Sequence, residues 1–465
     1  MVWCWNVISF VIFLLIGCAA VVSHAGEQPN IVFIFADDWG WGDLGCHGHP
    51  YVKTPNIDRL AAEGTDFHRF TVASGVCSPS RTAILTGHFP ARYNINGHFA
   101  WVEQNEKRNM PDWLNPETPT LPRMLQQAGY ATAHFGKWHL ANDMIPDSPL
   151  PGEYGYDAYG AFNCAGEQMP VHKDVDRAIG FIVDAQQKKK PFFINLWIHE
   201  PHTPFHVLPK YRWWFRELEE PDNIYAATLA HADDRIGKLL DALDDLGLRE
   251  STLVVFSSDN GPARAASPTE LQLTYDTATG AGYGIGASKG ITGGRKGYKA
   301  ALFEGGVGVP FIARWPGKIQ AGATDHESLM SAVDLLPTFC ELAEAEYPEG
   351  YVPDGVSQVD VLMGKQQPLR QEPLFWKSNA RWPAPHNRPY HWGAFAIVHK
   401  RWKLIANNDL SYAELYDVLE GPGEQHNLMK QNPVIASELK EKLMRWEKSL
   451  PEHPTGPVFS SLRSP

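Results

Sequence analysis

Four apolar runs of strand length, none of them alternating, each stop at a polar cluster, and this pattern constrains the fold more than any other feature. Residues 31–36 run into Asp37-Asp38, and residues 130–135 into Gly136-Lys137-Trp138-His139. Residues 192–198 run into His199-Glu200-Pro201-His202, and residues 252–257 lead to Asp259-Asn260-Gly261. A strand with one wet face alternates, whereas one covered on both faces reads as a continuous apolar run. Segments of helical period lie between them, at 55–63, 79–86, 121–128, 172–187 and 224–246. Such alternation predicts an α/β fold, a large mixed and mostly parallel sheet flanked by helices. Ligands of doubly wound sheets sit beyond the carboxyl ends of the strands. All four polar clusters fall on that edge, which predicts a single site.

The 465 residues are enough for one large α/β domain with an appendage. After about residue 365 the pattern changes: 392–406 and 413–418 read as antiparallel strands, and 433–450 as a closing amphipathic helix. The expected division is a catalytic α/β domain over 26–365 and a small C-terminal α+β subdomain over 366–465, an antiparallel sheet plus a helix. Residues 280–297 hold eight glycines and predict a loop, either mobile or tightly folded, leading to Lys299 and Glu304-Gly305-Gly306.

A net charge of −12 and the lack of a basic stripe argue against nucleic acid or an anionic membrane as partner. A small anion in a local pocket is still allowed, because near charges outweigh a screened net charge. Residues 7–22 are largely apolar and lead to Ser23, His24 and Ala25, the pattern of an export signal spanning 1–25. The product is then secreted or periplasmic. No Lys or Arg precedes the run, and Leu15-Ile16-Gly17-Cys18 resembles a lipoprotein box, so a lipid anchor on Cys18 is the alternative. Cys46, Cys77, Cys164 and Cys340 remain beyond this leader, too few for a disulfide framework. Nothing in the sequence points to a stable protein partner.

In Val76-Cys77-Ser78-Pro79-Ser80-Arg81, Ser78 suits an N-cap and Pro79 the first helical residue. Cys77 then stands just before a helix start, where amides and the dipole favour an oxyanion, with Arg81 one turn in. By spacing alone, a buried structural cysteine beside a capped helix explains the segment equally well. Asp37-Asp38 and Asp259-Asn260 each end a strand. Three carboxylates and an amide converging on one edge call for a hard divalent cation, Ca²⁺ or Mg²⁺ rather than Zn²⁺. Either pair alone reads as a loop cap. Lys137, His139, His202 and Lys299 add positive charge to that edge, although a lone Lys or His is usually structural. A cation, an oxyanion nucleophile and fixed positive charges are what transfer of a tetrahedral oxyanion requires.

Gly75-Val76-Cys77-Ser78-Pro79-Ser80-Arg81, continuing to Leu85-Thr86-Gly87, resembles the signature of the sulfatase family, in the alkaline phosphatase superfamily. Gly129-Tyr130-Ala131-Thr132 with Gly136-Lys137-Trp138-His139 is similar to the family's second signature, with Ala141 where Gly is usual. Asp37-Asp38 before Trp39-Gly40-Trp41-Gly42-Asp43, Ser258-Asp259-Asn260-Gly261, and Lys299 with Phe303-Glu304-Gly305-Gly306 follow the family's order. The likeness spans about residues 28–345 and continues weakly through Glu414-Leu415-Tyr416-Asp417 and Asn427-Leu428.

The resemblance implies an arylsulfatase-like sulfuric ester hydrolase. A formylglycine-generating enzyme would recognise Cys-x-Pro-x-Arg and oxidise Cys77 to formylglycine (3-oxoalanine), whose hydrate attacks the sulfur of a sulfate ester. Asp37, Asp38, Asp259 and Asn260, together with the modified Cys77, would bind Ca²⁺, or Mg²⁺. Arg81, Lys137 and Lys299 would hold the sulfate, His202 or Lys299 would protonate the leaving alcohol, and His139 would drive sulfate release. A bare serine ester would lack the second hydroxyl that this release uses.

The substrate must be read from loops. Residues 94–101 with His98, the aromatic run Tyr211-Arg212-Trp213-Trp214-Phe215, and the glycine-rich loop with Arg295 and Lys296 are the expected walls. Rings and cations suit a sulfated sugar; alternatively Trp213 and Trp214 pack against the C-terminal subdomain. An extracellular sulfated polysaccharide or oligosaccharide is the expected substrate. The rivals are a phosphonate monoester or phosphodiester hydrolase of the same superfamily, and a non-catalytic carbohydrate-binding relative.

Overall fold

A computed structural model describes residues 28–264, 271, 273–367, 369–379 and 389–463. The expected export signal and Cys18 lie outside them. An eight-stranded sheet runs through the middle of the larger part. In chain order its strands are Asn30–Ala36 (β1), Thr65–Phe67 (β2), Ala131–Lys137 (β3), Ala158–Phe162 (β4), Phe192–Trp197 (β5), Thr252–Ser258 (β6), Phe311–Arg314 (β7) and Ala323–Asp325 (β8). Across the sheet the order is β8-β2-β7-β6-β1-β5-β3-β4. The block from β6 to β4 is parallel throughout, and β7 alone runs against its neighbours β6 and β2. The sheet is thus mixed and mostly parallel, as the unalternated runs predict.

Both faces of β1 are buried, which explains why its sequence does not alternate. Ile31, Phe33 and Phe35 face one core, whereas Val32, Ile34 and Ala36 face another. The second core is built with Pro55–Ala62 (α1), Asp174–Gln187 (α4) and Asp222–Asp245 (α5), and the first with Cys77–Thr86 (α2), Leu121–Gln127 (α3) and Leu335–Leu342 (α6). At roughly 1.5–3 kcal/mol per fully buried large apolar side chain, these two layers supply the main stabilisation.

A separate four-stranded antiparallel sheet follows, Leu374–Lys377 (β9), Phe395–His399 (β10), Trp402–Ala406 (β11) and Ala413–Asp417 (β12), with helix Pro433–Lys448 (α7). Strands β10 to β12 fall within the expected segments, and β9 adds a strand that periodicity does not announce. Ile397, Leu404 and Leu415 join the core of the first layer, so the two sheets share buried surface. Ion pairs fasten the join: Lys403 Nζ lies 2.7 Å from Glu304 Oε1 and 2.9 Å from Glu424 Oε1. Glu304 of the Phe303-Glu304-Gly305-Gly306 run is thereby engaged in holding the second sheet.

One local expectation needs correction. Helix α2 starts at Cys77, with Val76 as an extended N-cap, not at Pro79. Proline is tolerated throughout a first turn because those N–H groups have no intrahelical partner anyway. Ser78 is therefore helical, and its Oγ accepts from the Phe99 N–H at 3.0 Å instead of capping. All four described cysteines are free.

Candidate active site

The carboxyl ends of four adjacent strands, β6, β1, β5 and β3, deliver the polar clusters to one place. Asp37 and Asp38 follow β1, Asp259 and Asn260 follow β6, Lys137 ends β3, and His202 stands on the loop after β5. Helix α2 brings Cys77 and Arg81 from above this edge, and Lys299 arrives on the loop after the glycine-rich stretch. Two glycines make the approach feasible. A Cβ on Gly136 would lie 2.0 Å from the Trp197 carbonyl oxygen, and one on Gly261 would lie 1.9 Å from that of Gly305. Either substitution would push apart strands or motifs that carry the site.

Each carboxylate meets a cation. Lys137 pairs with Asp37. Lys299 Nζ lies 2.6 Å from Asp38 Oδ1, and Arg81 Nη2 lies 2.6 Å from Asp259 Oδ2. Arg81 is completely buried, donates from Nη1 to the Lys137 carbonyl at 3.2 Å, and lies over the Trp197 ring with its centroid 5.0 Å away. Cys77 Sγ is 3.7 Å from Asp37 Oδ1 and 3.7 Å from Lys137 Nζ. Asn260 Nδ2 donates to Asp38 Oδ1 at 2.7 Å, leaving the buried Asn260 Oδ1 without a hydrogen-bond partner. Asp38 and His139 hold left-handed backbone at φ 69° and 52°, conformations costly for non-glycine residues and common at functional sites.

Asp37, Asp38, Cys77 and His202 each offer a ligand atom within 4.8 Å of the others. The donors of the Asp37–Asp38 and Asp259–Asn260 pairs are oxygens, and a buried amide oxygen stands without a partner. This set fits a hard divalent cation. His202 Nε2 lies 3.9 Å from Asp38 Oδ2 and is part exposed. His139 stands two residues past the end of β3: its Nε2 contacts the Phe99 carbonyl at 3.0 Å, and its buried Nδ1 has no hydrogen-bond partner.

Burial opposes ionisation of Asp37, but His202, Lys137, Arg81 and Lys299 outweigh it and hold the carboxyl well below its usual range. Burial and the neighbouring Asp37 push Asp259 up to about 7. Burial, only partly offset by Lys137 and Lys299, pushes the Cys77 thiol up to about 12. Burial and the Lys137 charge hold His139 well below the ordinary imidazole range.

The expected substrate walls fare unevenly. Trp213 and Trp214 are 64% and 52% exposed, so they do not pack against the C-terminal sheet. His98 is exposed, its ring 6.3 Å from that of His139. Arg295 and Lys296 are committed elsewhere. Arg295 is buried with its guanidinium 3.8 Å from the Trp41 ring centroid, and Lys296 Nζ donates to Tyr416 Oη at 2.7 Å. Both tie the glycine-rich loop to its neighbours, Arg295 by burial against Trp41 and Lys296 by its contacts with Tyr416 and Glu414. The ring support beneath Arg81, from Trp197 and Phe35, is the feature that sequence reasoning misses, since both residues read as ordinary core.

Fold and site together define an α/β protein that gathers three carboxylates, three cations and a cysteine at the carboxyl edge of its sheet. Comparison with known proteins narrows this. Residues 29–345 match the family model "Sulfatase", and residues 296–449 match "N-sulphoglucosamine sulphohydrolase, C-terminal". The chain is 33% identical to N-acetylgalactosamine-6-sulfatase of Canis lupus familiaris, over 78% of this chain and 71% of that protein. It is 31% identical to human arylsulfatase A, over 90% of this chain and 86% of the relative. Among solved structures it is similar to Ps i-CgsB in complex with k-i-k-neocarrahexaose, with TM-score 0.74, 25% identity, and 93% and 95% of the two chains covered. The chain belongs to the sulfatase family and is a sulfuric ester hydrolase.

Proposed function

We propose that this sulfatase cleaves sulfate esters of a sulfated polysaccharide or oligosaccharide outside the cytoplasm, using a formylglycine made from Cys77 and a bound divalent cation. One observation carries the reading: Cys77 lies 3.7 Å from both Asp37 and Lys137, at the meeting point of three carboxylates and three cations. A thiol pushed up to about 12 is inert as a nucleophile, which favours a converted side chain. Asp37, Asp38, Asp259 and Asn260 would hold Ca²⁺, with Mg²⁺ the alternative. The hydrated aldehyde would supply the attacking oxygen and the cation would make it more acidic.

The chain's own residues do the rest. Arg81, Lys137 and Lys299 bind and orient the sulfate oxygens, and they stabilise charge that grows as the S–O bond breaks. Arg81 is preorganised by Asp259 beneath it, so no reorganisation is needed in the transition state. His202 Nε2 and Lys299 Nζ both stand at the mouth on Asp38, and one of them protonates the departing alcohol. His139, neutral because it is buried beside Lys137, takes a proton on Nδ1 in the step that frees sulfate.

The sugar assignment draws on the names of the N-acetylgalactosamine-6-sulfatase relative and the neocarrahexaose complex. Exposed Trp101, Trp213 and Trp214 offer the flat apolar faces on which sugar rings stack. Export rests on the leader, and no described helix is long and apolar enough to cross a membrane. Activity on a panel of defined sulfated oligosaccharides, beside intact mass of the Cys77 peptide, tests the proposal. Expected are the aldehyde mass and release of sulfate from at least one sugar. Unchanged sulfate release by Cys77→Ala overturns the mechanism. Preference for an aryl phosphonate monoester over an aryl sulfate overturns the substrate class.

A further inference from the structure

Glu200, two residues before His202, is buried and faces a group of imidazoles that the proposed chemistry leaves unused. We infer that His172, Glu200 and His231 form a second metal site, of the kind that takes Zn²⁺ or a similar borderline dication, with His206, whose ring centre lies 6.0 Å from that of His172, as the candidate fourth ligand. The inference stands on this geometry and does not depend on the role given to His202.

Each of the three residues offers a ligand atom within 4.8 Å of the other two. Glu200 and His231 are 1% and 5% exposed. Glu200 Oε1 lies 2.8 Å from His172 Nε2 as an ion pair, with no further hydrogen-bond partner on either atom. His231 Nδ1 and His206 Nε2 are also buried without partners. Buried polar atoms from three parts of the chain thus lie near one another without hydrogen-bond partners, at a desolvation cost that proteins rarely leave unreturned. A cation accepting those lone pairs would satisfy all of them. Bonds of about 2.0–2.1 Å to a tetrahedral centre place ligand atoms about 3.4 Å apart, so the present spread closes by small rotamer changes. A set of imidazoles and one carboxylate selects Zn²⁺ over Ca²⁺, which takes oxygen alone.

The surroundings are already built to orient such ligands. Arg235 pairs with Glu200 Oε2 and with Asp174, fixing the carboxylate so that Oε1 faces the imidazoles. Arg235 and His231 are one turn apart on α5, so a single helix face supplies a ligand and the clamp on another ligand. The Tyr211 ring stacks on His231 with centroids 4.7 Å apart, and the Tyr211 hydroxyl donates to Asp234. Partners of this kind fix ring orientation around metals. The His172 side chain is 20% exposed, which leaves a route in from solvent. The Glu200 carbonyl accepts from the Asp37 N–H at 3.3 Å, so a metal here would brace the loop beside the sulfate site.

The test uses the full-length protein, stripped with chelator, loaded with Ca²⁺ in excess and then titrated with Zn²⁺ or with Co²⁺ as a spectroscopic substitute. Expected are about one equivalent of Zn²⁺ bound despite the Ca²⁺, and Co²⁺ d–d bands with four-coordinate intensity. His172→Gln and His206→Gln, at part-exposed positions that leave folding intact by thermal melt, should each weaken binding roughly tenfold or more. Cys46→Ser should leave binding unchanged, since Cys46, His47 and Asp66 form the other grouping of potential ligands. Wild-type protein that binds no Zn²⁺ over Ca²⁺ overturns the inference. So does binding that survives both histidine variants, or binding that is lost with Cys46→Ser.

Discussion

Lys137 is the residue at which structural and chemical roles can be separated most cleanly. Its side chain is 4% exposed and pairs with Asp37, which is fully buried. Removing one partner of a buried ion pair typically costs about 3–5 kcal/mol, mostly because the other charge is stranded. Arg81 Nη2, 3.8 Å from Asp37 Oδ1, remains to offset part of that loss. Lys137→Met should therefore fall just below that range, about 2–3 kcal/mol less stable. Lys137→Met with Asp37→Asn strands no charge and should recover to within about 1 kcal/mol of wild type. Activity should behave differently. Loss of one fixed donor to a developing oxyanion costs about a hundred- to a thousandfold in kcat, and the double variant cannot regain it.

Stability is measured by denaturant unfolding in chelator, so that metal binding does not enter, and kcat on an aryl sulfate in saturating Ca²⁺. Both positions lie outside the Cys77–Arg81 run, so intact mass should show the same conversion of Cys77 in every variant. A single variant with kcat within about threefold of wild type would refute the placement of Lys137 on the sulfate. A double variant no more stable than the single one would refute the stranded-charge argument.

Chelation should abolish activity and lower Tm by a few degrees, with both restored by Ca²⁺, because a ligand at a hundred times its Kd adds about 2.7 kcal/mol. Protein folded with an unconverted Cys77 should stay unconverted when given the formylglycine-generating enzyme, since every residue from Cys77 to Arg81 is buried; the aldehyde mass appearing would contradict this. Burial works against Asp66, but hydrogen bonds from His47 and His68 hold its carboxyl down at about 2, against 3.8. A depressed carboxyl stabilises the fold above its unfolded value and loses that contribution as pH falls. Wild type should therefore lose about 2 kcal/mol relative to Asp66→Asn between about pH 4 and pH 2 by denaturant titration.

The parts of the fold legible in the sequence are those whose cause is local. Residues 31–36 read as a doubly buried strand because every position faces one of two cores, and the structure bears this out. Strand β9, Leu374–Lys377, has no such signature: four residues gain their identity only by pairing with β10. The start of α2 is displaced because Ser78-Pro79 is a strong local signal that the Phe99 contact overrides. At the site, residue types and order are legible, but the pairing is not. That Lys137 meets Asp37 while Lys299 meets Asp38 depends on which loop reaches which strand end. His172, Glu200 and His231 carry no spacing signal, since three separate elements bring them together.

The pairing also explains why such a site can be stable and still bind an anion. Asp37, Asp38 and Asp259 face Lys137, Lys299 and Arg81, so the charges of this site balance three against three. The balance is tight: burial and Asp37 already push Asp259 up to about 7, so a further carboxylate would not stay ionised. Without a counter-ion, a sulfate monoester entering here would meet no net positive charge and would lose its hydration for little return. A divalent cation on the Asp37, Asp38, Asp259 and Asn260 oxygens leaves the lysines and Arg81 partly unneutralised, and the surplus of about two charges faces the mouth. The carboxylates then serve to concentrate positive charge where sulfate must sit, which a net charge of −12 on the whole chain does not oppose at this range.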